Sequence, residues 1–227
     1  MAPSRGRVLA APPDGRPESA LSAATALRTR TAPHHRATET AYSGYDLTEP
    51  RSYALFLSAH ARAITAAERA LAASPGLPPW RARTPFLHDD LGALNVPVPS
   101  PLPFSVVLDT GRAWGVLYVL EGSRIGSAML SRQVPQGRPR SYLAASHDPG
   151  EWREFRARLD VGLATGEEPL LDRAVGGAIA CFALFAAAAR GPDPAEIGAG
   201  RADGAGARRP AAEATAASQR PGGRGAA

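Results

Sequence analysis

From Ser22 to Arg190 apolar residues recur at intervals of three and four, a period that a chain satisfies by forming amphipathic helices. The clearest stripe is Tyr53, Phe56, Leu57, His60, Ile64, Ala67 and Leu71. Its helix starts behind Thr48 or Asp46 with Pro50 in the first turn, and stops before the Ser74-Pro75-Gly76 breaker. Ahead of it, Ser22 is placed to cap a first helix carrying Leu27, Thr31, His34, Thr38, Ala41 and Tyr42 on one side. Pro33 falls inside that pattern, where it would remove the bond to the Thr29 carbonyl and kink the helix; a start at Thr31 would instead leave it in the first turn. A short helix is expected over Thr84–Ala93. Four prolines in the eight residues from Val96 to Pro103 then impose a loop.

A third long helix begins near Asp109 or Thr110 and continues past Leu130. Trp114–Leu120 has strand-like residues, but Val116, Leu117, Leu120, Arg124 and Ala128 keep the helical repeat. Asp148-Pro149-Gly150-Glu151 reads as N-cap, first-turn proline and capping-box glutamate, ahead of the stripe Trp152, Phe155, Leu159 and Leu163. Thr165-Gly166-Glu167-Glu168 is a second box, feeding Leu171, Val175, Ala178, Ile179, Phe182 and Phe185. The expectation is an all-α single domain over residues 22–190, five or six helices around one core. Residues 1–21 lack periodicity, and 24 of the 37 residues in 191–227 are Gly, Ala or Pro; both ends are expected to be disordered tails.

Charge excludes little and suggests little. The chain carries +5, but all its basic residues are arginine, a compositional bias that weakens any inference to a polyanion partner. Between Ser22 and Arg190, 18 arginines face 15 acidic residues, a net of +3, which suits a domain that binds a small anionic ligand. Arginines are scattered and aromatics few, so no nucleic-acid partner is expected. The single cysteine, Cys181, lies in the apolar run Ala178–Phe185 and reads as a buried structural thiol; it excludes an intrachain disulfide and a cysteine-based zinc cluster. The N-terminal apolar patch is too short for a signal-peptide core, and no stretch of about 18 apolar residues marks a membrane span. A cytoplasmic, reduced location is the expectation.

Two features of the helical region could carry chemistry. Gly115, Gly122 and Gly126 are separated by seven and four residues and so share a helix face, although each costs about 1 kcal/mol of helix propensity relative to alanine. Close packing against a neighbouring helix, helped by Ser123 and Ser127, is one reason for such a row; the approach of something flat and large to the backbone is another. The second feature is the set of five histidines, His34, His35, His60, His88 and His147. None forms an HExxH pair. His60 lies on its helix stripe as a core or interface residue, while His35 has Glu39 one turn along. No GxSxG elbow, Walker sequence or dinucleotide fingerprint is present.

Taken together, Leu27-Arg28-x-x-Thr31-x-x-x-His35-x-x-x-Glu39 and, some eighty residues later, Trp114-Gly-Val-Leu-Tyr-Val-Leu-Glu-Gly-Ser-Arg-Ile-Gly126 resemble the bacterial haem oxygenases, most closely the biliverdin-producing type found with bacterial phytochromes. The resemblance covers most of residues 22–190, with only these two stretches distinctive. It implies haem, as both cofactor and substrate, between a proximal and a glycine-rich distal helix. His35 falls on the axial iron ligand and Arg28 on a basic position that pairs with a haem propionate. Gly122 and Gly126 fall on the distal glycines that let the helix backbone approach iron-bound dioxygen. Ser123 stands where the animal enzymes carry an aspartate that organises distal water. The implied reaction opens haem at a meso carbon to biliverdin, iron and carbon monoxide. It uses dioxygen and electrons from a reductase or ferredoxin, with a bacterial phytochrome as the implied biliverdin acceptor. Ser127 replaces the second glycine usual after Gly126, and Pro33 stands beside the ligand. These departures keep open a non-catalytic haem-binding or carrier protein on the same scaffold, and packing alone would make the chain a cofactor-free helical interaction domain.

Overall fold

A computed structural model describes residues 22–164 and 170–191, and among these the chain forms seven helices and no strand. In chain order they are α1 (Ala23–Tyr42), α2 (Pro50–Ala72), α3 (Thr84–Ala93), α4 (Thr110–Leu130), α5 (Ser141–Ala144), α6 (Glu151–Ala164) and α7 (Leu170–Ala189). The all-α expectation holds, with α5 a short addition the periodicity did not announce. The expected tails 1–21 and 192–227, and the capping box at 165–168, lie outside the described residues.

Local chemistry sets the ends. Ser22 caps α1, its hydroxyl accepting from the Thr25 amide, and the helix continues without a break through Pro33. The start at Thr31 is therefore not used: the Ser22 cap and the buried Ala24, Leu27 and Thr31 hold the first two turns. Glu49, rather than Thr48 or Asp46, caps α2 by accepting from the Arg51 and Ser52 amides. Asp46 is occupied with the Thr48 amide and hydroxyl, at 2.8 and 2.6 Å. Asp109 caps α4 through the Arg112 amide. At α6 the Glu151 carboxylate reaches back to the Asp148 amide at 2.8 Å, but Pro149 precedes the helix, because Gly150 turns the chain at φ +90 before the first helical residue.

Two buried carboxylates cap helices other than their own. Glu68 of α2 accepts from the Arg83 and Thr84 amides at the start of α3, at 2.7 and 3.0 Å. Asp90 of α3 accepts from the Ser141 and Tyr142 amides at the start of α5, both at 2.9 Å. Each ties the ends of neighbouring helices together and satisfies amides that a helix start leaves without intrahelical partners.

The core organises around α7, which packs against α1, α2 and, most extensively, α4. Glycines allow the α4–α7 approach. A Cβ built on Gly115 would lie 1.8 Å from the Ala174 carbonyl oxygen, and one on Gly177 would lie 2.1 Å from that of Arg112. α7 is long and apolar enough, by length and composition alone, to cross a membrane, a property it shares with core helices such as this one, whose buried face packs on α1, α2 and α4. Cys181 lies on its buried face.

Candidate functional site

α1 and α4 each lean on α7 rather than on one another, and the cleft between them is the principal cavity of the described residues. Its volume is about 390 Å³, and it is lined by α1 through Arg28, Thr31, Ala32, His35 and Arg36. From α4 come Tyr118, Val119, Gly122, Ser123 and Ile125, with Trp152 of α6 and Phe182 of α7 closing the space. That size and the largely apolar lining with a few convergent polar groups are those of a small-molecule site.

His35 reaches the cavity from α1 while its neighbour His34 does not. His34 is turned by one residue, about 100° of helix, to the side of α1 away from Arg36. The His35 side chain is 56% exposed, and its Nδ1 lies 3.3 Å from Glu39 Oε2. The contact puts a carboxylate on the Nδ1 side of the ring, with Nε2 on the other side as the nitrogen open to a ligand. The ring stands edge-on to Phe182, with centroids 5.5 Å apart. Thr38 fixes this part of α1 by donating to the Phe182 carbonyl of α7 at 3.1 Å.

The α4 wall is bare where it matters. A Cβ on Gly122 would meet only the Trp152 ring, at 3.7 Å, and one on Gly126 would meet nothing within 4 Å. The face shared by Gly115, Gly122 and Gly126 therefore has different surroundings along its length: α7 backbone at Gly115, a ring edge at Gly122, open space at Gly126. Gly126 does not itself line the cavity, which Ile125 borders instead. Ser123 lines it, whereas Ser127 is buried on the far side, its hydroxyl accepting from Arg83 Nη1 at 3.3 Å.

Three arginines lie at or near the cavity. Arg28 and Arg36 line the cavity from α1. Arg156 of α6 lies over Trp152, its guanidinium carbon 5.9 Å from the ring centroid. Burial pushes the Tyr118 phenol above its ordinary range, and the positive charges of Arg28 and Arg156 oppose that shift. Tyr118 lies within the Trp114–Gly126 motif but had no role there, Trp152 and Phe182 read as members of core stripes, and Arg156 is one of eighteen arginines between Ser22 and Arg190.

Two other histidines, His60 and His147, have structural settings. His60 Nδ1 pairs with the Tyr142 hydroxyl at 2.7 Å, within an aromatic cluster of Tyr42, Phe56, Tyr142 and Phe185. Burial, helped by the nearby Arg83 charge, pulls its pKa down to about 3, so it is neutral. His147 Nε2 meets Glu121 at 2.7 Å, and Glu121 also holds Arg124. Among the described residues no three His, Cys, Asp or Glu side chains converge as a metal cluster.

The all-α bundle that opens this cleft has a haem-oxygenase-like fold by comparison with a solved structure. The solved haem oxygenase of Neisseria meningitidis in its NO- and CO-bound forms has the same fold, with a TM-score of 0.64 over 75% of this chain and 92% of that one, at 22% identity. A heme oxygenase of Xanthomonas campestris pv. campestris is 34% identical over 112 residues, 47% of this chain. This chain spans 66% of that relative's length, and the match marks the two as homologous over the shared residues. No family model matches the chain.

Proposed function

We propose that this chain is a haem oxygenase: it binds haem in the α1–α4 cleft and opens it at a meso carbon to biliverdin, iron and carbon monoxide. Dioxygen and electrons from a reductase or ferredoxin complete the reaction. The observation that carries the reading is one cavity bounded by the His35 imidazole on one helix and side-chain-free backbone at Gly122 on another. A planar macrocycle needs that combination, an axial nitrogen on one face and room for a small ligand on the other.

The residues fit haem on their own chemistry. His35 Nε2 is the ligand nitrogen, with Glu39 fixing the ring from the Nδ1 side. Arg28 and Arg36 line the opening, and a guanidinium suits a propionate by fork geometry as well as by charge. Phe182 and Trp152 supply apolar surface for the macrocycle and keep water from its faces. Bound haem supplies the redox and oxygen chemistry, and the protein supplies ligation, orientation and a shaped pocket. Gly122 holds open the distal space, and the Ser123 hydroxyl borders it with its proton given to the Leu120 carbonyl at 2.7 Å, leaving its oxygen to accept. Gly126, one turn along α4, has open space around it outside the cavity lining. Ser127 faces Arg83 rather than the cavity, so its replacement of a glycine places no atom in the path of a distal ligand. A cytoplasmic location and transfer of biliverdin to a phytochrome complete the reading.

The test is reconstitution. Adding haem should give a sharp Soret band that His35→Ala shifts and weakens, and reductant with oxygen should give biliverdin on HPLC. A stable oxy complex without bilin would refute turnover. An unchanged iron spectrum in His35→Ala would refute the ligation.

A further inference from the structure

We propose that Trp152 is a specificity-determining residue of the cavity: its indole is a fixed stop for the edge of the macrocycle and selects between the two ways haem can be seated. The role rests on the haem reading above. Trp152 lines the cavity, and its Cη2 is the atom that a Cβ on Gly122 would meet, at 3.7 Å. Cη2 therefore lies no more than about 5.2 Å from the Gly122 Cα, which is one carbon–carbon bond of about 1.5 Å further on. A flat ring system between the two would need about 3.5 Å on each face, about 7 Å in all. The macrocycle cannot pass between the indole and Gly122. It lies over the glycine to one side of the indole, and its advance ends where its edge meets that ring.

A stop has to be rigid, and this indole is held on several sides. Phe155, one turn along α6, stacks on it with centroids 5.5 Å apart and planes inclined by 20°. The His147 ring stacks at 5.7 Å and 29°. His147 is in turn tied to α4: its Nε2 lies 2.7 Å from Oε2 of Glu121, the residue before Gly122, and both side chains are buried. The stop is thus referenced to the same turn of α4 as the glycine it faces. The backbone beneath it is fixed as well. Gly150 turns the chain at φ +90, Glu151 accepts from the Asp148 amide at 2.8 Å, and Arg81 bridges Glu151 and Asp148 at 2.7 and 3.3 Å.

Charge alone cannot make the selection. With its propionates paired to Arg28 and Arg36, haem keeps two seatings related by a half-turn about the axis that runs between the propionates. The seatings exchange methyl and vinyl groups along the edges and nothing else. The arginines meet the same two carboxylates in both, whereas a wall at an edge meets a different group in each. An apolar wall discriminates a difference of about one carbon by about tenfold or more.

The experiment compares wild type with Trp152→Phe, which keeps an aromatic ring on Phe155 and His147 but withdraws the tip facing Gly122, and with Trp152→Leu, which removes the ring. The ferric, cyanide-bound protein does not turn over, and its haem methyl proton resonances count the two seatings. Wild type should favour one seating by at least about tenfold. The ratio should fall toward one in Trp152→Phe and further in Trp152→Leu, with haem affinity within a few-fold of wild type. A symmetric iron porphyrin with methyl groups in place of both vinyls has a single seating and should give one set of resonances in all three proteins. If Trp152→Leu fails to fold, Trp152→Phe decides. A seating ratio unchanged in the folded variants, alongside a lowered melting temperature, would reduce Trp152 to a packing residue and overturn the proposal. Equal seatings in wild type would overturn it too. A wild type that gives no Soret band would refute the haem reading, and this proposal with it, whereas an unchanged ratio in haem-binding protein would refute the stop alone.

Discussion

Alanine at Gly122 and alanine at Gly115 should change stability in opposite directions, although both glycines lie on one face of one helix. At Gly122 the new Cβ meets Trp152 Cη2 at 3.7 Å, an ordinary contact, so the substitution adds the helix propensity that glycine withholds. That gain is about 0.8–1 kcal/mol, which raises the melting temperature of a domain this size by about 2–4 °C. At Gly115 the Cβ falls 1.8 Å from the Ala174 carbonyl oxygen. That is about 1.5 Å short of normal contact, and the obstacle is backbone, so α4 and α7 must move apart along their longest interface. Overpacking of this kind costs about 1–3 kcal/mol or more and outweighs the propensity gain. Differential scanning calorimetry of the haem-free proteins gives the sign directly. The same Gly122→Ala protein, more stable without haem, should bind haem with a perturbed Soret band and form little bilin, because its new methyl occupies the distal space. If Gly122→Ala destabilises the haem-free protein as Gly115→Ala does, the glycine serves packing. If it is stabilised and still turns over haem normally, the distal assignment is wrong.

Two further outcomes follow from buried groups. His60 has a folded pKa near 3 against about 6.5 unfolded, so the unfolded chain takes up a proton that the folded chain refuses. Its contribution is fully present above pH 6.5 and lost as pH falls toward 3, up to about 2 kcal/mol between pH 7 and pH 5. Urea titrations at the two pH values should show that part of the loss disappear in His60→Gln; an identical pH dependence would contradict it. Burial also pushes the Cys181 thiol well above its ordinary range. A thiol reagent should therefore label it only at the rate of unfolding, and fast labelling of native protein would show α7 to be open.

The helices and their order were legible from sequence because one-dimensional spacing encodes them. The stripe Tyr53–Leu71 and the repeat Val116–Ala128 are local patterns, and a helix is a local structure. Ser22 and Asp109 announced their caps for the same reason. The resemblance carried by the two motifs selected His35, Arg28 and Gly122 before any fold was in view, and the cavity brings these three together.

Tertiary structure decided whatever depends on what lies opposite a residue. Gly115, Gly122 and Gly126 are equivalent along α4, and only the course of α7 makes the first a packing glycine and leaves the other two facing less crowded ground. Ser127 looked like an intrusion into the distal space, yet a guanidinium forty-four residues earlier in the chain turns its hydroxyl away. Arg83 itself is one arginine among many until its burial across the back of α4 is seen. Sequence spacing reports the direction a side chain takes from its own helix. What it meets there is a property of the neighbouring helices, and it is that meeting that makes a site.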